Sequence, residues 1–143
     1  MKKIMVTFLA VLSLILSAAP AYAAEVSNHV NETAMTPNYT YIWLLSSGLD
    51  ISSSGKAHCV GSVDASSNSY NAELTVTLQK YSNGSWSNVK SWSDSGTGQS
   101  NLIVDKYYYV ERGTYRVRTT AKIYDSAGKL LEDKFFDSDE RTY

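Results

Sequence analysis

Apolar and polar positions alternate with a period of two through most of this chain, the pattern of strands half buried against a core. The cleanest run is Lys56 to Ala65, where Ala57, Cys59, Gly61, Val63 and Ala65 take one face and His58, Ser62 and Asp64 the other. Leu74, Val76 and Leu78 alternate with Thr75, Thr77 and Gln79. Ser82-Asn83-Gly84-Ser85 then turns the chain into a strand from Trp86 to Trp92, because Asn-Gly between two such runs is a strong hairpin signal. Ser93 to Ser100 reads as a Ser/Gly-rich loop, after which Leu102, Val104, Tyr108 and Val110 share one parity and Ile103, Tyr107 and Tyr109 the other. Tyr115, Val117, Thr119, Ala121 and Ile123 form an inward row opposite Arg116, Arg118, Thr120 and Lys122; Asp125-Ser126-Ala127-Gly128 turns that strand into a last one, Lys129 to Asp137. The first strand is apolar on both sides, with Tyr41, Trp43 and Leu45 alternating against Thr40, Ile42 and Leu44.

About seven regularly spaced strands with turn chemistry between them, and no helical period, predict an all-β fold: a single-domain antiparallel β-sandwich over residues 39–137. Small inward residues such as Ala57, Gly61 and Ala121 predict two closely approaching sheets. Residues 24–38 are polar, contain Pro37 and lack either periodicity, so they read as a flexible lead-in. Residues 138–143 read as a solvated acidic tail.

The N-terminus adds an address. Lys2 and Lys3, the apolar run Ile4 to Leu16 and Ala21-Tyr22-Ala23 have the three-part form of a secretory signal peptide, residues 1–23, cleaved after Ala23. That run is shorter than the roughly 20 residues a membrane-spanning helix needs, so the expectation is a secreted, extracellular chain with no membrane insertion after cleavage. Lys2 and Lys3 leave with the signal, so the thirteen basic residues become eleven against fourteen acidic ones, a formal charge of −3. Nucleic acid is therefore not expected as a partner, since it selects for clustered Lys and Arg. Cys59 is the single cysteine, so no intramolecular disulfide forms and the fold stands on packing.

The order of features resembles an immunoglobulin-like sandwich. Glu111-Arg112-Gly113-Thr114-Tyr115-Arg116-Val117 looks like the turn and tyrosine corner that open the sixth strand of that superfold, with Cys59 and Val117 where a bridged pair would stand. The resemblance implies that Cys59 is a small buried hydrophobe. More locally, Tyr39-Thr40-Tyr41-Ile42, Gly55-Lys56-Ala57, Leu78-Gln79-Lys80-Tyr81, Trp86, Trp92 and Gly113-Thr114-Tyr115-Arg116-Val117 resemble a group of small exported proteins of Gram-positive bacteria, mostly clostridia and bacilli. These are packing and turn motifs, and they imply no reaction and no site residues.

Few residues of this chain carry reactive chemistry. Serine or cysteine nucleophiles need a histidine in reach. Only His29 and His58 exist; His29 lies in the lead-in, and His58 points to the face opposite its neighbour Cys59. One cysteine with two histidines at unrelated positions gives no metal-ligand spacing, Asp137-Ser138-Asp139-Glu140 lacks the glycine and distal glutamate of a calcium loop, and no cofactor motif is present.

The aromatic set carries the functional expectation. Trp86 and Trp92 are six apart in one strand pattern, so they share a face with Asn88 and Lys90 between them, forming a platform on which sugars would stack; Tyr107 and Tyr109 extend it, with Tyr81 and Tyr124 on the same outward parity. The competing structural expectation is that the tryptophans serve packing, with Arg116, Arg118 and Lys122 lying over an exposed sheet. The function expected is a secreted, non-enzymatic surface-contact module, whose partner is a cell-wall glycan, an extracellular protein or a second copy. Two alternatives stand beside it: a small extracellular hydrolase using carboxylates, and an envelope or spore-coat structural protein pairing through its edge strands.

Overall fold

In a computed structural model, residues 30–35 and 38–143 are described. The signal-peptide pattern, most of the lead-in and His29 lie outside them. Among the described residues, nine strands form two antiparallel sheets: β1 (Thr33–Met35), β2 (Ile42–Ile51), β3 (Lys56–Ala65), β4 (Asn71–Ser82), β5 (Ser85–Thr97), β6 (Leu102–Tyr109), β7 (Thr114–Tyr124), β8 (Leu130–Asp137) and β9 (Arg141–Thr142). The first sheet has the order β1-β2-β3-β6 and the second β5-β4-β7-β8, with β9 alongside β7. The chain is an all-β sandwich without a disulfide. Setting aside the short β1 and β9, the seven remaining strands place the first, second and fifth on one sheet and the third, fourth, sixth and seventh on the other, an immunoglobulin-like succession.

The core is the interface of the two inner rows. Leu45, Leu49, Cys59 and Val63 of the first sheet meet Leu74, Val76, Leu78, Val117, Ala121 and Ile123 of the second, all essentially inaccessible to water. The sheets approach closely at Gly61, where an added Cβ would lie 2.5 Å from both Thr119 Oγ1 and Val76 Cγ2. Burial pushes the Cys59 thiol up to about 12, with a smaller contribution from the nearby Asp105 carboxylate. The hairpin signal is realised: Asn83 (φ 52°) and Gly84 (φ 81°) give the two left-handed residues of a type I′ turn between β4 and β5. The tyrosine corner is present too, for buried Tyr115 donates its hydroxyl to Glu111 O at 2.8 Å.

Four expectations need correction. The lead-in is not irregular throughout, because Thr33–Met35 pairs with Leu45–Ser47 and the Ser46 hydroxyl donates to the Glu32 carboxylate. Three residues are too few to show a period, and the edge of β2 supplies the pairing. The C-terminus is not a free acidic tail: Ser138 is buried, its Oγ accepts the Val117 N–H at 2.9 Å, and Arg141–Thr142 pair with Tyr115 and Thr114. Its charges say nothing of the free stretch of β7 left where β8 stops. Ser93 to Thr97 continues β5 rather than forming a loop, since its backbone pairs with Asn71 to Thr75. Nor is β2 strictly alternating, because its pattern fails at a β-bulge between Ile42 and Leu44.

Candidate functional site: a cleft beside Trp43

A second bulge decides the fate of the predicted aromatic platform. In the β4–β5 pair, Leu78 faces Lys90 but Gln79 faces Asn88, so Val89 is an extra residue and the parity of β5 reverses across it. Trp86 lies opposite Tyr81 on the outer face, while Trp92 lies opposite Val76 on the inner side, packs against the core and makes an edge contact with Tyr108 at 6.3 Å. Asn88 stays with Trp86, and Lys90 falls on the inner parity with Trp92 at the exposed sheet edge. Tyr107 and Tyr109 face outward too, but on the other sheet, opposite His58 and Lys56. The six residues therefore do not form one platform. Even spacing of the two tryptophans concealed the odd residue between them.

What remains of that surface is already occupied by the protein's own cations. The Arg116 guanidinium sits over the Trp86 ring at 4.3 Å, and Arg118 over Phe135 at 3.9 Å. Both arginines are fixed by Asp137, at 3.0 Å from Arg116 and 2.7 Å from Arg118, and the hydrogen bond from Arg118 raises that guanidinium further above its ordinary value. Arg116 also donates to Gln79, which in turn donates to Asn88, each at 2.9 Å. On the first sheet, Tyr107 carries the His58 imidazole stacked at 4.2 Å and the Lys56 ammonium over its ring at 4.2 Å, while His58 is paired with Asp105 at 2.8 Å.

Trp43 is different. As the extra residue between Ile42, which faces Ala65, and Leu44, which faces Asp64, it leaves the alternation and stands 71 % exposed. Among the described residues, no aromatic ring or cation stacks on it. It forms one wall of an open cleft of about 470 Å³, completed by Asp64, Ala65, Ser66 and Gln99. That volume is within the range of about 300–1,000 Å³ common for small-molecule sites.

The walls are held by the backbone. Ser66 N donates to Tyr41 O at 2.9 Å, Ala65 N to Gly98 O at 2.8 Å, and Gly98 N to Tyr70 O at 2.7 Å, which pins the turn bearing Gln99 against the end of β3. A side chain at position 98 would strike the Ser67 carbonyl and the Ala65 methyl, so this close approach requires glycine. Gln99 Nε2 donates to Ser66 O at 3.4 Å. From the other sheet, the Glu132 carboxylate of β8 accepts the N–H groups of Thr40, Tyr41 and Ile42 at 3.3, 2.8 and 3.1 Å, fixing the chain just before Trp43. The phenol of neighbouring Tyr39 is raised by burial and then by the charge of Glu132.

No family model, curated protein or solved structure matches this chain. The cleft presents one aromatic face, one carboxylate, one carboxamide and one hydroxyl, the set that binds a ligand with both an apolar face and hydroxyl or amide groups. Among the described residues, no three or more of His, Cys, Asp and Glu converge as metal ligands would. Sequence reasoning did not single out Trp43, Asp64 or Gln99. The available signal was the unbroken run Tyr41-Ile42-Trp43-Leu44-Leu45, which no straight strand with one core face can bury whole.

Proposed function

We propose that this chain is a secreted, non-enzymatic binding module that works by surface contact, with its ligand seated in the Trp43 cleft. The observation that carries this reading is the exposed indole, turned out of its strand by a bulge and left, among the described residues, without a stacking partner beside Asp64, Ser66 and Gln99. Leaving an aromatic of this size in water forgoes roughly 2 kcal/mol of burial, whereas the other tryptophans of the domain are covered by Arg116 or by the core. The signal-peptide pattern supports an extracellular setting. The non-enzymatic part is supported by the tasks of two carboxylates drawn off the solvent: Glu132 binds three backbone N–H groups and Asp137 binds two guanidinium groups.

The test is co-sedimentation of the labelled protein with purified cell-wall material from Gram-positive bacteria. Wild type and Trp86→Ala are expected to partition alike, and Trp43→Ala to bind about tenfold more weakly, the loss of one stacking contact. Equal binding by wild type and Trp43→Ala would reject the cleft as the contact site.

A further inference from the structure

We infer that the Trp43 cleft recognises a neutral, β-linked pyranose of a glycan, with the sugar ring lying flat on the indole and its hydroxyls reaching Asp64 and Gln99. This rests on the reading of the chain as a contact module and names the ligand class of that site. An indole face is electron-rich and flat. The complementary surface in water is the row of weakly positive axial C–H groups on a pyranose whose hydroxyls are all equatorial. Such a ring also carries adjacent equatorial hydroxyls at its rim. One carboxylate accepts from two of them at once, and charge-assisted bonds of that kind are the strong class.

The lining narrows the class. Asp64 is the one charged residue among the five that line the cleft, and it is negative. A phosphate-, sulfate- or uronate-bearing polymer would be repelled there, whereas an uncharged sugar gains a strong acceptor. A purely apolar ligand would strand the Asp64 carboxylate and the Gln99 amide oxygen without partners, which costs more than a hydrophobic wall of one indole and one Ala65 methyl returns. The remaining requirement is shape. The cleft is open to solvent and not closed over, so it admits an internal residue of a chain as well as a terminal one. It lies at the end of the first sheet where Ala65 meets Gly98, and Tyr107 and Tyr109 sit toward the other end opposite His58 and Lys56. Recognition is thus confined to one or two sugar rings, which predicts weak single-site binding.

The experiment is a fluorescence titration of the purified protein with soluble β-1,4-linked tetrasaccharides of glucose and of N-acetylglucosamine, with polyglycerol phosphate as the anionic control. Saturable quenching and a blue shift are expected with at least one tetrasaccharide, absent in Trp43→Phe as a spectral change and weakened about tenfold in Trp43→Ala by calorimetry. Asp64→Asn, which keeps the shape and removes the charge, is expected to weaken binding several-fold while Trp86→Ala leaves it unaltered. Polyglycerol phosphate is expected neither to bind nor to compete. The inference is overturned if neither tetrasaccharide perturbs Trp43 while Trp43-dependent sedimentation with wall material persists; the contact module would then stand with another ligand class. Competition by polyglycerol phosphate equal to that of the sugars would overturn the charge argument. If sedimentation itself ignores Trp43→Ala, the broader reading fails as well.

Discussion

Trp86 and Trp43 both point away from the core of the same domain, each on a strand that carries a β-bulge, yet their surroundings are opposites. Trp86 is joined to a chain of fixed groups that runs through Arg116, Asp137 and Arg118 to Phe135 across the second sheet. Trp43 has an exposed ring, polar wall residues of which Gln99 already donates to the Ser66 carbonyl, and a backbone anchored from behind by Glu132 and Gly98. An aromatic that already holds a guanidinium stabilises the fold and has no face to offer. An aromatic held in place by its backbone alone adds little to stability and is available. The comparison teaches that exposure by itself is a poor guide to a site, and that the identity of whatever stacks on the ring is the better one.

The largest effect should come from cutting the chain of fixed groups at its centre. Asp137→Ala leaves Arg116 and Arg118 without their shared carboxylate. The expected loss is about 2 kcal/mol in urea denaturation, below the roughly 3–5 kcal/mol of a fully enclosed pair because solvent screens these groups in part. Wall binding should survive at protein concentrations and temperatures where the variant is folded. Alkali offers a second separation, this time of the core from both surface regions. Cys59 holds its proton in the folded state up to about 12 but loses it near its ordinary value when unfolded. The unfolded chain therefore binds fewer protons between those limits, and stability falls as pH rises above about 9, by roughly 1.4 kcal/mol per pH unit at most. Cys59→Ala should lower the starting stability and flatten that slope, leaving a weaker decline from Tyr39 and Tyr124, whose phenols are also raised.

Trp86→Ala should cost about 1 kcal/mol through the lost contact with Arg116, measured by the same denaturation, with no change in partitioning onto wall material. Trp43→Ala should be the mildest for stability, within about 0.5 kcal/mol, and the most damaging for binding. A Trp43→Ala protein destabilised as much as Trp86→Ala would erase the distinction between the two regions. Acrylamide quenching of single Trp→Phe variants gives the direct reading, with Trp43 expected to be the most accessible emitter and Trp92 the most protected.

Much of the scaffold was legible in the sequence because period-two patterning and turn chemistry are local. Lys56–Ala65 formed with the bounds its alternation predicts, Asn83-Gly84 turned the hairpin, and Tyr115 closed the corner its surrounding residues resemble. The site was less legible because both bulges are decided by pairing between strands. Apolar residues at 86, 89 and 92 do not fit one face of a straight strand, a hint that an extra residue stood between the tryptophans. Nothing local to Thr33-Ala34-Met35 or Arg141-Thr142 signals a strand, since each exists by filling an edge left open by a longer neighbour.

The three hydrogen bonds to Glu132 also order events in time. Trp43 is made early in the chain, and the carboxylate that anchors its approach belongs to the next-to-last strand, ninety positions beyond Ile42. A chain made N-terminus first would carry that indole through most of its synthesis before the anchoring carboxylate exists. The backbone leading into Trp43 gains its carboxylate anchor only when β8 docks, so the placement of that indole reports on a late-made strand.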